Sequence, residues 1–251
     1  MIKMPAHPTW IHLVTGLFFM TASVVHAAHP LVSDDTGTQG PGGYQIEVNT
    51  DWLRDAGIKT RTATATLTRG ITETLDVYLD TPHTLSRPSG LNDIALGLKW
   101  RLFESDGLSI GLKPELTLAS GNQEKQLGDG RSGAAITVLT QYEVGPWTWL
   151  FNMGSELHRY SSISSQDENR RYIHKASVGL TYQLKDDWLL VMDTGIASHA
   201  TKSEKKDPRF ALLGLIYSLS DDTELDVGYK KSLNTPEVDH QWGVGLTYRF
   251  K

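Results

Sequence analysis

From residue 43 to the C-terminal end, apolar and polar positions alternate with a period of two in segment after segment, and no amphipathic helical spacing competes with it. The last segment is the clearest. Trp242, Val244, Leu246, Tyr248 and Phe250 share one face, while Gly243, Gly245, Thr247 and Arg249 share the other. Residues 172–184 repeat the rule, and so do Ile94, Leu96, Leu98, Trp100 and Leu102 against Ala95, Gly97, Lys99 and Arg101. Successive side chains of a strand point to opposite faces, so each segment is a strand with one greasy face and one small or polar face. Twelve such segments are predicted, at 43–52, 60–69, 73–81, 92–103, 108–119, 133–144, 147–158, 172–184, 188–198, 209–219, 223–231 and 240–250, divided by Gly, Pro, Asp, Asn and Ser.

The connections alternate in length. Short ones lie at 70–72, 104–107, 145–146, 185–187 and 220–222, and longer ones at 53–59, 82–91, 120–132, 159–171, 199–208 and 232–239. Short turns at one end and long loops at the other are the pattern of an outer-membrane barrel, and a soluble sandwich has no reason to produce it. Tyr142, Trp147, Trp149, Tyr182, Trp188, Tyr217, Tyr248 and Phe250 all fall on the apolar face at the short-turn ends, where they form a girdle. Trp52, Tyr172, Tyr229 and Trp242 form a sparser belt near the long loops. Arg61 and Arg69 are read as the outward charges, at the two ends of the second strand, where long side chains snorkel. At ~3.3 Å per residue and a tilt of ~40° they stand roughly 20 Å apart along the membrane normal, near the ~25 Å apolar band of such barrels. The predicted fold is therefore all-β: a transmembrane antiparallel barrel of about twelve strands, of the outer-membrane type. An even strand count puts both ends on one side and leaves no open edge. Pro114 is a misfit in the middle of a lipid-facing strand, and a bulge is expected there.

Composition narrows the chemistry. With no cysteine among 251 residues there is no disulfide framework, cysteine metal site, thiol nucleophile or acylated cysteine. A net charge of −5, with basic residues spread evenly, argues against a nucleic-acid partner. Lys3, the apolar stretch 11–25 and the sequence Val25-His26-Ala27-Ala28 read as a secretory signal peptide over 1–27, cut after Ala27. Residues 28–42 become a polar periplasmic segment, either a plug of the periplasmic mouth or a disordered stretch, and 43–251 the barrel. The implied location is the outer membrane of a diderm bacterium, with outer-membrane lipids, lipopolysaccharide and the barrel assembly machinery as partners. Trp242, Tyr248 and Phe250 are the assembly signal.

Side-chain parity turns Lys99, Arg101, Lys113, Glu115, Asp193, Glu224, Asp226 and Arg249 into the lumen. Lys99 and Arg101 are successive inward positions, expected to form a basic ladder with Lys113 and Glu115 beside it, opposite Glu224 and Asp226. The acidic pair would set a field across the pore or pair with the ladder and close it. A twelve-stranded lumen is narrow, fit for small solutes only. The alternatives are a sealed structural or adhesion barrel acting through its loops, and a lipid-acting barrel enzyme. Ser155 and His174 could bring a hydroxyl near an imidazole on adjacent strands, but no orienting third group stands beside them, so neither an enzyme nor a catalytic residue is assigned. The nine histidines show no metal spacing, and no metal or cofactor is read.

One family shares these motifs. His29-Pro30-Leu31-Val32-Ser33-Asp34-Asp35-Thr36-Gly37-Thr38-Gln39-Gly40, Gly90-Leu91-Asn92-Asp93, Lys113-Pro114-Glu115-Leu116, Leu127-Gly128-Asp129-Gly130-Arg131, Leu225-Asp226-Val227-Gly228-Tyr229 and Thr235-Pro236-Glu237-Val238-Asp239 carry the likeness. The chain resembles outer-membrane proteins described as "putative MetA-pathway of phenol degradation", also described as transporters, over essentially the whole of 28–251. The resemblance implies an outer-membrane barrel that moves small, often aromatic or phenolic, compounds, and it makes Pro114 a family feature. Lys251 departs from the usual aromatic end of such barrels.

Overall fold

A computed structural model describes residues 29–234 and 238–251, and the signal peptide read at 1–27 lies outside the described residues. Twelve antiparallel strands close into a barrel. They are β1 (Tyr44–Asp55), β2 (Ile58–Thr72), β3 (Leu75–Thr84), β4 (Ile94–Ser105), β5 (Leu108–Leu118), β6 (Gly133–Val144), β7 (Trp147–Leu157), β8 (Tyr172–Lys185), β9 (Trp188–Ala197), β10 (Arg209–Ser220), β11 (Thr223–Ser232) and β12 (His240–Phe250). Each pairs with its neighbours in sequence, and β12 returns to β1, from Tyr44 opposite Phe250 to Arg54 opposite His240. Closure leaves no open sheet edge, so backbone pairing runs round the whole wall without water, which is the condition for crossing a bilayer. The long loops also hold a two-residue strand, Gly90–Leu91, paired with the end of β3, a 3-10 turn at Gln123–Lys125 and a short helix at Ile163–Glu168. The helices are too short to show a period in the sequence.

The outer face carries the belts. At the short-turn end the rings of Trp147 and Tyr182 lie 4.3 Å apart, those of Trp188 and Tyr217 4.6 Å, and Tyr44 stacks on Phe250 at 5.3 Å. Arg69 holds its guanidinium over the Tyr44 ring. At the other end Tyr229 packs on Trp242 at 4.6 Å, and Trp242 stands opposite Trp52. Register shifts fall at Gly70/Thr72, Arg101/Phe103, Trp188/Leu189 and Ser218/Ser220, all beside short turns.

Three expectations are corrected. The connection read as a long loop at 53–59 is a two-residue hairpin, Ala56-Gly57, both with positive φ (45° and 85°), because β1 and β2 stay paired out to Asp55 and Ile58. Extension of those strands makes Arg61 and Arg69 only two of several outward charges: Arg54, Lys59 and Lys231 occupy outward positions as well. Pro114 induces no bulge. Its pairing with β6 runs unbroken, Pro114 opposite Ile136, while the ladder to β4 lapses between the Gly97–Glu115 and Trp100–Leu112 pairs and resumes in the same register. The missing N–H is absorbed as a local gap, and the inserted residue of that hairpin sits nearer the turn.

Candidate functional site

The lumen is occupied by the chain's own residues 29–43. This stretch has no strand period, so its backbone N–H groups need acceptors from elsewhere. Inward side chains supply them, each from a different strand. Asp193 on β9 accepts from the amides of Val32 (2.8 Å) and Ser33 (2.6 Å). Asn152 on β7 accepts from Asp34 N at 2.6 Å and donates back to the Asp34 carbonyl at 2.9 Å. Gln141 on β6 takes Thr36 N at 3.1 Å, and Asp76 on β3 takes Gln39 N at 3.0 Å. Finally Gly42 N donates to the Gly70 carbonyl, and β1 begins. Ser33, Asp35 and Thr36 are fully buried by this arrangement.

Two ionic fixtures hold the path. Asp34 sits between two ammonium groups, Lys99 Nζ at 2.7 Å from Oδ1 and Lys113 Nζ at 2.7 Å from Oδ2, and Lys99 also reaches Asp35 at 3.1 Å. Burial would raise the Asp34 carboxyl, but Lys113 and Lys99 overcome it and hold the group far below the usual carboxylate range. Lys113 also lies over the Tyr78 ring at 4.7 Å, and the Tyr78 hydroxyl donates to Glu115 at 2.9 Å. At the other end of the segment, His29 Nδ1 meets Asp226 at 2.5 Å and Nε2 meets Asp51 at 3.2 Å. Burial pushes the imidazole down, and the hydrogen bonds to Asp226 and Asp51 more than reverse this, raising it to about 9.

Between the fixtures the contact is apolar. Leu31 packs on Val191, Leu212 and Ile216, inward residues of β9 and β10. Pro30 lies so close to β11 that a Cβ at Gly228 would stand 2.3 Å from it, so only glycine admits the segment there. Gly179 and Gly214 clear the same track. These inward glycines, with the unpaired inward acceptors Asp193, Asn152 and Gln141, are the sequence signal by which the segment's path could have been found.

Of the residues read as lumen-lining, Lys99, Lys113, Asp193 and Asp226 converge on the N-terminal segment, with Glu115 next to them through Tyr78. The others do not join. Arg101 pairs with Glu104 at 3.1 Å and with the Glu73 carbonyl, and Glu224 pairs with Arg249 at 2.8 Å. The expected basic ladder is thus split. Neither Glu224 nor Asp226 meets it across the pore, because a ligand from the chain itself, Asp34, takes the two lysines first. Trp242, Tyr248 and Phe250 lie exposed on the outer face of β12. Ser155 and His174 are direct cross-strand neighbours on the outer wall. Among the described residues no group of three or more His, Asp or Glu is placed to hold a metal ion.

Three cavities lie in file along the axis. A vestibule of 900 Å³ opens among the long loops, lined by Asp93, Glu124, Asp129, His158, Tyr160 and Glu168. Below it a chamber of 310 Å³ shares Glu115, Ala135 and Glu156 with the vestibule. A third space of 220 Å³ reaches toward the short turns, past Gln45, Thr68 and Asp76. It shares Val32, Asp34, Tyr78 and Lys113 with the chamber, so these four residues form the constriction between the two. The chamber has two characters. Ile196, Ala197, Pro208, Phe210 and Val238 make one side apolar, and Thr137, Asn152, Lys113, Glu115 and Glu156 make the other polar. Lys230 projects its ammonium over the Phe210 ring at 5.7 Å. At the vestibule, His158 bridges Asp129 (2.8 Å) and Glu156 (3.4 Å), and those two bonds raise its imidazole to about 9.

A family model described as "Putative MetA-pathway of phenol degradation" matches residues 27–250. Among solved structures, the COG4313 outer membrane channel from Pseudomonas putida F1 superposes with a TM-score of 0.69 at 14% identity, over 86% of this chain and 98% of that one. The NanC porin gives 0.64 at 10% identity over 81% and 98%, and the KdgM porin 0.61 at 9% over 82% and 99%. No curated protein matches the chain.

Proposed function

The chain belongs to the family described as "Putative MetA-pathway of phenol degradation", and on that premise we propose that it is a non-enzymatic outer-membrane channel for small amphipathic solutes, with residues 29–43 as its internal constriction. The long loops face outward and the short turns face the periplasm, as in other outer-membrane barrels. One observation carries the reading: three cavities, the middle one half apolar, follow one another from loops to turns and share lining residues, with Asp34 held between Lys99 and Lys113 at the constriction. In a lumen sealed by its own wall charges the basic ladder would pair with Glu224 and Asp226, whereas Lys99 and Lys113 pair with Asp34 of the segment.

The chamber above the constriction suits a compact ring compound with one anionic or hydroxyl group. Its ring would lie against Phe210, Ile196 and Pro208, and its polar group would meet Lys230 or Lys113. Phenols and aromatic carboxylates have this form, which the family name supports, while the structural relatives, a channel and porins, support passage of solutes in general. Leaving the constriction requires either passage beside Asp34 or displacement of the segment, which is held by hydrogen bonds, ion pairs and the apolar packing of Leu31.

Planar-bilayer recording with the purified full chain tests this. The wild type should give small discrete conductance steps, and Asp34→Ala, which frees Lys113 and leaves Lys99 only Asp35, should give larger ones with a stronger preference for anions. Proteoliposomes should pass benzoate faster in the variant. Absence of conductance and of benzoate flux from both proteins would overturn the channel reading in favour of a sealed scaffold.

A further inference from the structure

The outer wall carries a second polar feature, independent of the lumen. At the long-loop rim, Lys231 on β11 stands opposite His240 on β12, His240 opposite Arg54 on β1, and Arg54 opposite Lys59 on β2. All four are outward positions, so register alone lines them up side by side across the seam where the barrel closes. One step toward the membrane, Tyr229 stands opposite Trp242, Trp242 opposite Trp52, and Trp52 opposite Arg61. A basic row thus runs directly above an aromatic one. Neighbouring strands are ~4.8 Å apart, which makes the basic row roughly 15 Å long.

Trp52, Arg54, Lys59, Arg61, His240 and Trp242 line an open groove of 470 Å³ on this face. Arg54, Lys59, Arg61 and Lys231 have no ion-pair partner among the described residues. Four unpaired cations at one site repel one another, and an anion bound among them relieves that repulsion. At the opposite rim no such basic row forms: the short turns carry Asp106, Asp186, Asp187, Asp221 and Asp222, with Lys185 beside them.

We infer that this groove binds the phosphate groups of lipopolysaccharide in the outer leaflet, with Trp52 and Trp242 against the sugar and acyl body of the same molecule. Three features choose this occupant. The groove faces lipid and not the pore. It lies at the interface belt, where aromatic rings sit at headgroup level and long basic side chains reach into the headgroup layer. And its charge is too dense for a singly charged phospholipid, whereas a glycolipid bearing more than one phosphate offers several anions over the length of the row. The site fixes the barrel's height and orientation in the leaflet, and it clamps the β12–β1 seam from outside.

The test uses the purified full chain in detergent, titrated with diphosphoryl lipid A and followed by native mass spectrometry. Binding should be saturable and should weaken about fivefold for each cation removed, roughly 100-fold in an Arg54→Ala, Lys59→Ala, Lys231→Ala variant. Dephosphorylated lipid A and phosphatidylglycerol should bind no better to the wild type than diphosphoryl lipid A binds to that variant, and Lys185→Ala at the other rim should change nothing. Unboiled gel migration reports whether each variant folds; should the triple variant misfold, Arg54→Gln alone carries the fivefold expectation. Unchanged lipid A binding by a folded variant, or equal binding of phosphatidylglycerol by the wild type, would overturn the assignment. Single-channel conductance of the same variants should stay at the wild-type level, so this result and the transport result are read separately.

Discussion

The two walls that grip the N-terminal segment do so by different physics. On β9 and β10, Val191, Leu212 and Ile216 receive Leu31, and the inward glycines of β10 and β11 receive Pro30. The Leu31 and Pro30 contact is non-directional, scales with the area removed from water, and tolerates small shifts, with Asp193 of β9 adding two directional bonds to the amides of Val32 and Ser33. On β4 and β5, Lys99 and Lys113 receive Asp34 through two 2.7 Å bonds. This contact is directional, and it leaves charge stranded in a buried site when either side is lost. The apolar wall therefore sets where the segment runs, and the charged wall decides whether it stays.

The largest expected effect comes from the charged side. Asp34→Ala leaves Lys113 facing no anion of the segment, at a cost of about 3 kcal/mol. Amide hydrogen exchange over residues 32–36 should speed up by roughly 100-fold. If protection there is unchanged, the charged wall is not the latch and the comparison collapses. The apolar side should lose less: Leu31→Ala, at a half-buried position, should cost about 2 kcal/mol, the low end for such truncations. Its exchange signature should be confined to residues 30–33. Spread of the effect to Asp34 and Thr36 would mean that the two grips are one cooperative unit.

The smallest effect concerns pH and sharpens the assignment of the segment's far end. His29 has a raised folded-state value of about 9 against an ordinary 6.5, so its hold on Asp226 and Asp51 is complete below pH 6.5 and fades as pH rises through 9. Neutral histidine still donates one hydrogen bond, which limits the loss. The depressed Asp34 behaves oppositely, its contribution being present above the ordinary carboxylate value of 3.8 and lost only far below it. Because the chain has no cysteine, a spin label at Val32→Cys reports on this region alone. Its mobility should rise between pH 6.5 and 10 in the otherwise native chain and should be high and pH-independent in a His29→Gln background. A flat profile with His29 present would remove the histidine from the tether.

Much of the barrel was legible because a lipid-facing strand must alternate. Trp242 to Phe250 declares itself in the sequence, and the long and short connections fix which end is which. Parity also put Lys99, Lys113, Asp193 and Asp226 inside. What the sequence hid is the partner of each. Residues 29–43 have no period, and their structure is imposed by acceptors scattered over the wall, such as Asn152 and Gln141, which look like ordinary polar inward residues until the segment is laid against them. The first hairpin was misread for a related reason. Arg54 and Lys59 interrupt the apolar face, so the alternation ends at Trp52, although backbone pairing continues through them. Charge at a membrane interface marks the end of the lipid, not the end of the strand.

The closure between β1 and β12 has a consequence in time. Every other pairing joins strands adjacent in sequence, so those hairpins close through a turn or a single loop, whereas Tyr44 meets Phe250 across the whole barrel. Contacts of such separation form late. Because residues 29–43 lead directly into β1, they come into the lumen with the strand that shuts it, and the segment is enclosed by the same event that completes the wall. The order of synthesis is thereby inverted: the first described part of the chain to be made is among the last to reach its place.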